Sequence, residues 1–216
     1  MKQLTNYQRA TQYLNKVFKL INAEYFNNEL ETPTITIQST VGAYGHVSVG
    51  KVWHNTETAT HELNLSADYM NRPIENVVAT LIHEGCHLYA MQNGIKDTSN
   101  RGIYHNARFK ALAEARGLSI SKHERYGWTV TEPTEETMDF CISNGLEDII
   151  IHRESTWHPA PTGGGKATVG TNTVAPRKPS STRKYICPCC GNSFRATKDI
   201  RVKCMDCDVQ FVKAGD

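Results

Sequence analysis

The sequence predicts an α+β fold, helices packed on a small sheet, followed by a small cysteine-rich module at the C-terminal end. Three observations carry that reading. Two long segments repeat apolar residues at alternating spacings of three and four, the mark of amphipathic helices. Short alternating stretches between them read as strands. Five of the seven cysteines, Cys187, Cys189, Cys190, Cys204 and Cys207, fall in the last thirty residues. At 216 residues, 39% hydrophobic and 21% charged, the chain fits one medium domain with an appendage. No apolar run approaches the ~20 residues of a membrane span, so no membrane partner is expected.

The first helix follows from Leu4, Tyr7, Thr11, Leu14, Phe18, Ile21 and Tyr25, which place a mostly apolar stripe along about six turns. Asn27, Asn28 and Pro33 end it. "TITIQ", "HVSVGKVW" and "HELNLS" then read as strands. A second helix opens at Pro73 and closes before Gly94, with Ile74, Val77, Val78, Leu81, Ile82, Gly85, Leu88 and Tyr89 as its core face. A third spans roughly Tyr104 to Arg116, capped by Gly117, and carries His105, Phe109 and Leu112 on one inward face. "YGWTVTEP" reads as a strand and turn, "PTEETMDFCISN" as a short helix capped by Gly145, and "DIII" as a last strand. These elements make a domain of residues 1–152. Residues 153–184 are rich in Gly and Pro and poor in large apolar side chains, a flexible-linker composition, and residues 185–216 hold the cysteine module.

Chemistry concentrates in "TLIHEGCHLYA", Thr80 to Ala90. On a helix, His83 and His87 lie one turn apart on one face and can present both imidazoles to one ion. Glu84 projects about 100° around from His83, where a carboxylate reaches a water without taking a coordination position. Zinc lowers the pKa of such water toward ~7, and the carboxylate accepts its proton. Without a metal, polar groups buried there cost several kcal/mol, on the order of 2–7 each. A catalytic zinc takes three side chains, and His105 is the leading third ligand, with Glu114 a weaker rival. His46, His54 and His61 read as structural or exposed, and Cys86 as a small buried residue rather than a ligand.

In order along the chain, "YFNNEL", "TLIHEGCHLYA" and "YHNARFKALAEARG" resemble the first-helix turn, metal helix and third-ligand helix of the SprT-like zinc metalloproteases. Eukaryotic relatives in that group include the Spartan protease, which acts on proteins crosslinked to DNA. The resemblance covers roughly residues 5–117. It implies a zincin-like metalloprotease domain in which His83, His87 and His105 bind a catalytic zinc and Glu84 is the base. Gly85-Cys86 departs from the bulkier residues common at that point. Tyr104 and Tyr126 are the candidates for oxyanion stabilisation.

The tail contains two Cys-x-x-Cys pairs, Cys187 with Cys190 and Cys204 with Cys207, separated by thirteen residues. Four thiolates close a tetrahedral structural zinc site, and a module this small draws much of its stability from the metal, so a zinc ribbon is predicted. Two zinc ions are therefore expected, one catalytic and one structural; Cys189 is left over. Residues 1–152 hold 13 Lys and Arg against 17 Asp and Glu, a balance of −4, whereas residues 153–216 hold 11 against 5, a balance of +6. A basic tail favours polyanions through counterion release. Arg183, Lys184, Arg195, Lys198, Arg201 and Lys203 surround the ribbon, so DNA joins a protein substrate as an expected partner; Tyr185 and Phe194 either offer stacking platforms or fill the ribbon's minimal core, the core being the favoured place for Phe194. The opening residues lack a signal-peptide core, and clustered thiols suit a reducing compartment, so a cytoplasmic location is expected.

Overall fold

The computed structural model describes residues 6–40, 42–154 and 183–214. They fall in two compact units divided between His152 and Arg153. Most of the predicted linker, residues 155–182, lies outside the described residues, as does Leu4. Among the described residues no helix is long and apolar enough to cross a membrane.

In the first unit, helix α1 (Tyr7–Phe26) starts where the Asn6 side chain accepts from the Arg9 N–H and ends at Asn27 in the left-handed conformation. Its buried face is Ala10, Leu14, Val17, Phe18, Ile21 and Phe26, while Tyr7 is exposed. Strands β1 (Thr34–Gln38), β2 (Gly45–His54) and β3 (Ala59–Ser66) form a sheet in the order β1-β3-β2. β1 runs parallel and β2 antiparallel to β3, so β2 is an edge strand.

Helix α2 (Ile74–Gln92) is buried almost all round, as expected of a helix at the centre of a domain. Pro73 is its cap rather than its first residue, and the Ile74 N–H donates to the Asp148 carboxylate at 2.8 Å. Asp148 belongs to the "DIII" segment, which is not the predicted strand. Its neighbour Glu147 hydrogen-bonds through its backbone to the Tyr13 hydroxyl, and Ile149 is buried, so this stretch closes the core as irregular chain.

Strands β4 (Thr98–Ser99), β5 (Tyr104–His105), β6 (Leu118–His123) and β7 (Gly127–Pro133) form a second sheet ordered β4-β5-β7-β6. β6 was not predicted from the sequence; only Leu118 and Ile120 are buried along it, too short an alternation to stand out. Helix α3 (Ala107–Glu114) is shorter than predicted, because the Asn106 side chain accepts from the Arg108 and Phe109 N–H groups and fixes the helix start there. His105 therefore lies on β5 and not on the helix. Helix α4 (Glu135–Ser143) begins in a capping box of Thr134 and Thr137 and ends before Gly145 at positive φ, as predicted.

Helix α1, the two sheets and α4 surround α2 with one continuous core. Gly85 allows a close approach of the end of α1: a Cβ there would lie 3.0 Å from the Phe26 ring. The second unit contains β8 (Arg183–Ile186), β9 (Ser193–Ala196) and β10 (Val212–Lys213) in the antiparallel order β10-β8-β9. Its first strand begins at Arg183, inside the predicted linker.

Candidate active site

α2 brings His83 and His87 to one face, and β5 delivers His105 against them. One nitrogen from each lies within 4.8 Å of the others, and the closest pair, Nε2 of His87 and of His105, is 3.0 Å apart. The other ring nitrogens settle which tautomer each imidazole adopts. His105 Nδ1 faces the Tyr126 carbonyl at 3.3 Å, which can only accept. His87 Nδ1 faces the Asp97 carboxylate at 2.5 Å. His83 Nδ1 lies 2.7 Å from Thr131 Oγ1, whose own proton goes to the Thr129 carbonyl. Each Nδ1 thus has an acceptor of its own, and one nitrogen of each ring converges with the other two. A set of three converging ring nitrogens whose outer nitrogens are hydrogen-bonded has the character of a zinc site.

Phe109, fully buried on α3, forms the floor, with its ring 4.5–4.7 Å from all three imidazoles. Burial drives His83 well below the ordinary imidazole range and holds His105 down to about 4, with His87 adding to both. Burial thus favours the neutral form of His83 and His105, the form in which an imidazole binds a metal. Glu84 is only 5% exposed. Burial pushes its carboxyl up to about 7 against the opposing pull of His87 and the Val47 N–H, which donates to it from β2.

Of the rivals, Glu114 pairs with Lys110 on the α3 surface. His61 bonds to the Ser48 carbonyl, and His46 and His54 are exposed on β2. Cys86 is buried, its thiol pushed up to about 12, and it is not among the converging atoms. The Tyr104 ring packs over Gly127 and the Tyr126 ring beside His123, and neither hydroxyl bonds to a site residue. Asp97 and Thr131 escaped sequence reasoning. Asp97 follows the α2 cap with no periodic signal, and only the chain reversal to β5 aims it at His87; its carbonyl also accepts from the Asn106 N–H.

In the second unit the sulfurs of Cys187, Cys190, Cys204 and Cys207 lie within 4.8 Å of one another. Two matching turns hold them. The Cys187 N–H bonds the Asn192 carbonyl and Gly191 bonds back to Cys187, and Cys204 with Val209 and Asp208 repeats the pattern. Gly191 and Asp208 both adopt positive φ. N–H groups of Cys190 and Cys189, with the sulfurs of Cys190 and Cys204, hold the Cys187 thiol down to about 7 against burial. Tyr185 stacks on Phe194 at 5.2 Å, and Phe194 meets Phe211 edge-on, so both aromatics pack within the ribbon, as favoured from the sequence for Phe194. Arg183 pairs with Asp199 and Lys203 with Asp208. Lys198 and Arg201 are exposed, and Lys184 and Arg195 half-buried.

A helix bearing His-Glu-x-x-His, a third histidine and a ring of hydrogen-bonded imidazoles define a zincin-like, metallopeptidase-like domain, here joined to a zinc ribbon. The chain belongs to the SprT-like family, whose model matches residues 14–126, more than half of the sequence and a span holding Glu84 and all three histidines. No curated protein and no solved structure matched the chain.

Proposed function

We propose that the chain is a zinc-dependent endopeptidase in which His83, His87 and His105 hold the catalytic ion and Glu84 is the general base. The convergence of one ring nitrogen from each of three histidines, with the buried Glu84 on the same helix as two of them, is the observation that carries this reading. A zinc ion held there supplies Lewis acidity, polarising the substrate carbonyl and lowering the pKa of water toward ~7. Glu84 takes the proton from the attacking water and passes it to the leaving amine. A carboxyl that burial holds near neutrality suits both transfers. Strand β2 is an edge strand whose Val47 reaches the Glu84 carboxylate, so an extended substrate laid along it would bring its backbone to the base.

The ribbon holds a second, structural zinc on Cys187, Cys190, Cys204 and Cys207, and it recruits the protease to DNA or to DNA-bound protein. The +6 balance of residues 153–216 and the exposed Lys198 and Arg201 support that role. Glu84→Gln decides the catalytic reading. It should lower peptide cleavage by about 10²–10⁴-fold while zinc content stays at two ions per chain. A function that persists in this variant would instead point to a non-enzymatic nucleic-acid-binding protein.

A further inference from the structure

Arg72 lies immediately before Pro73 and α2, and its guanidinium is turned back along the helix. Its Nε donates to the Tyr69 carbonyl at 2.9 Å and its Nη2 to Thr80 Oγ1 at 3.0 Å. The Tyr44 ring lies beneath it at 4.0 Å and meets Tyr69 edge-on at 5.1 Å. Among the described residues no carboxylate lies within ion-pair distance of it. Two N–H groups on Nη1 and one on Nη2 remain unused, so the outer edge of the fork, which matches a carboxylate bidentately, is free. A partly buried cation without a counter-charge is unfavourable, and burial accordingly holds this guanidinium down to about 10. Tyr44 is 54% exposed and Tyr69 37%, so the cushion around the cation opens to solvent.

The position adjoins the catalytic groups. Thr80 is one turn before Glu84 on the same face of α2. Gly45 bridges the two: a Cβ on it would lie 3.1 Å from the Thr80 methyl and 3.4 Å from Glu84 Oε1. Arg72 is therefore one hydrogen bond plus one helical turn, a rise of ~5.4 Å, from the carboxylate that acts on the scissile bond. An extended polypeptide advances ~3.3 Å per residue, so an acidic side chain one or two residues from the scissile bond would span such a separation with its own length added.

We propose that Arg72, cushioned by Tyr44 and Tyr69, is a specificity-determining anion site that takes the carboxylate of an acidic substrate side chain one or two residues from the scissile bond. The inference rests on the endopeptidase reading above.

The zinc-loaded full chain is first given a mixture of denatured proteins, and the new termini are sequenced by mass spectrometry. Asp and Glu should be enriched within two residues of the cleaved bonds. Peptide pairs differing only by Glu or Gln at that position should then differ about 10- to 100-fold in kcat/KM, the worth of a hydrogen bond to a charged group. Arg72→Gln should bring the ratio near one, Arg72→Glu should turn the preference toward a Lys peptide, and Arg72→Lys should keep a smaller preference for Glu. Binding of the same peptides to zinc-loaded Glu84→Gln, followed by fluorescence anisotropy, should show the same order without cleavage. Cleavage with no acidic enrichment and equal Glu and Gln rates would overturn the anion site and leave the endopeptidase standing. No cleavage and no peptide binding would overturn both. Should the Gln and Glu variants not fold, the wild-type and Arg72→Lys ratios decide.

Discussion

Asp97 acts on the site through one hydrogen bond, to His87 Nδ1. The carboxylate fixes the tautomer and makes Nε2 a stronger donor to a cation. Asp97→Asn should weaken zinc at the histidine site by about 10–100-fold with little change at the ribbon, as competition with a chelator would show. The titrations are opposed in sign. In the metal-free protein His105 is held down to about 4, so between about 4 and its ordinary 6.5 the unfolded chain binds a proton that the folded one does not. Stability then falls as pH falls through that window, and His83 acts in the same direction. Glu84, held up to about 7 from 4.5, keeps a proton that the unfolded chain has shed, so its contribution falls as pH rises between those values. Glu84→Gln should therefore steepen the gain in stability of the metal-free protein from pH 4.5 to 6.5, measured as urea midpoints followed by helical circular dichroism.

At the scale of the element, β5 is two residues long and depends on its neighbours for position. The His105 N–H donates to the Tyr126 carbonyl at 2.9 Å, and Gly127 follows with φ of +72°. A Cβ on Gly127 would lie 2.2 Å from the His105 carbonyl oxygen and 2.8 Å from the Tyr104 ring. Gly127→Ala thus combines left-handed strain of about 1–3 kcal/mol with a clash that moves the third histidine. We expect a lowered urea midpoint together with loss of zinc from the histidine site; a variant that keeps both would show that β5 is held by other contacts. Gly85 has a different reason. In the middle of a helix it costs about 1 kcal/mol relative to Ala, and it is where Phe26 and Leu30 press on α2 from the end of α1.

For the whole molecule, the two units differ in what stabilises them. Residues 6–152 have a core of Phe, Leu, Ile and Val side chains, whereas the ribbon has Tyr185, Phe194 and Phe211 and four thiols. Structural zinc in such a module supplies about 10–16 kcal/mol of apparent folding free energy. Removing the chain beyond Glu154 should leave α2 and its histidines folded, preserve slow cleavage of an unstructured protein, and weaken DNA binding. Affinities of full chain and truncation across a salt series test this, each neutralised phosphate adding about one unit to the slope. Arg183 and Lys203 are already paired with Asp199 and Asp208, so the exposed Lys198 and Arg201 should contribute more to the slope than these two.

Sequence alone was sufficient for elements whose information is local. Periodicity placed α1 and α2, alternation placed β1 to β3, and the i, i+4 pair with its glutamate and the two Cys-x-x-Cys pairs marked both sites, because helix and knuckle geometry turn such spacings into proximity. Features made by contacts distant in sequence were decided by tertiary structure. His105 belongs to a two-residue strand because Asn106 caps the helix after it and Tyr126 pairs with it from 21 residues away. "DIII" is irregular because Asp148 caps α2 across 74 residues and Tyr13 takes up the backbone of Glu147 across 134. Asp97, Thr131 and Arg72 carry no period and no motif; their chemistry exists only once the chain has folded them against α2, since a hydrogen bond or a charge acts through distance in space.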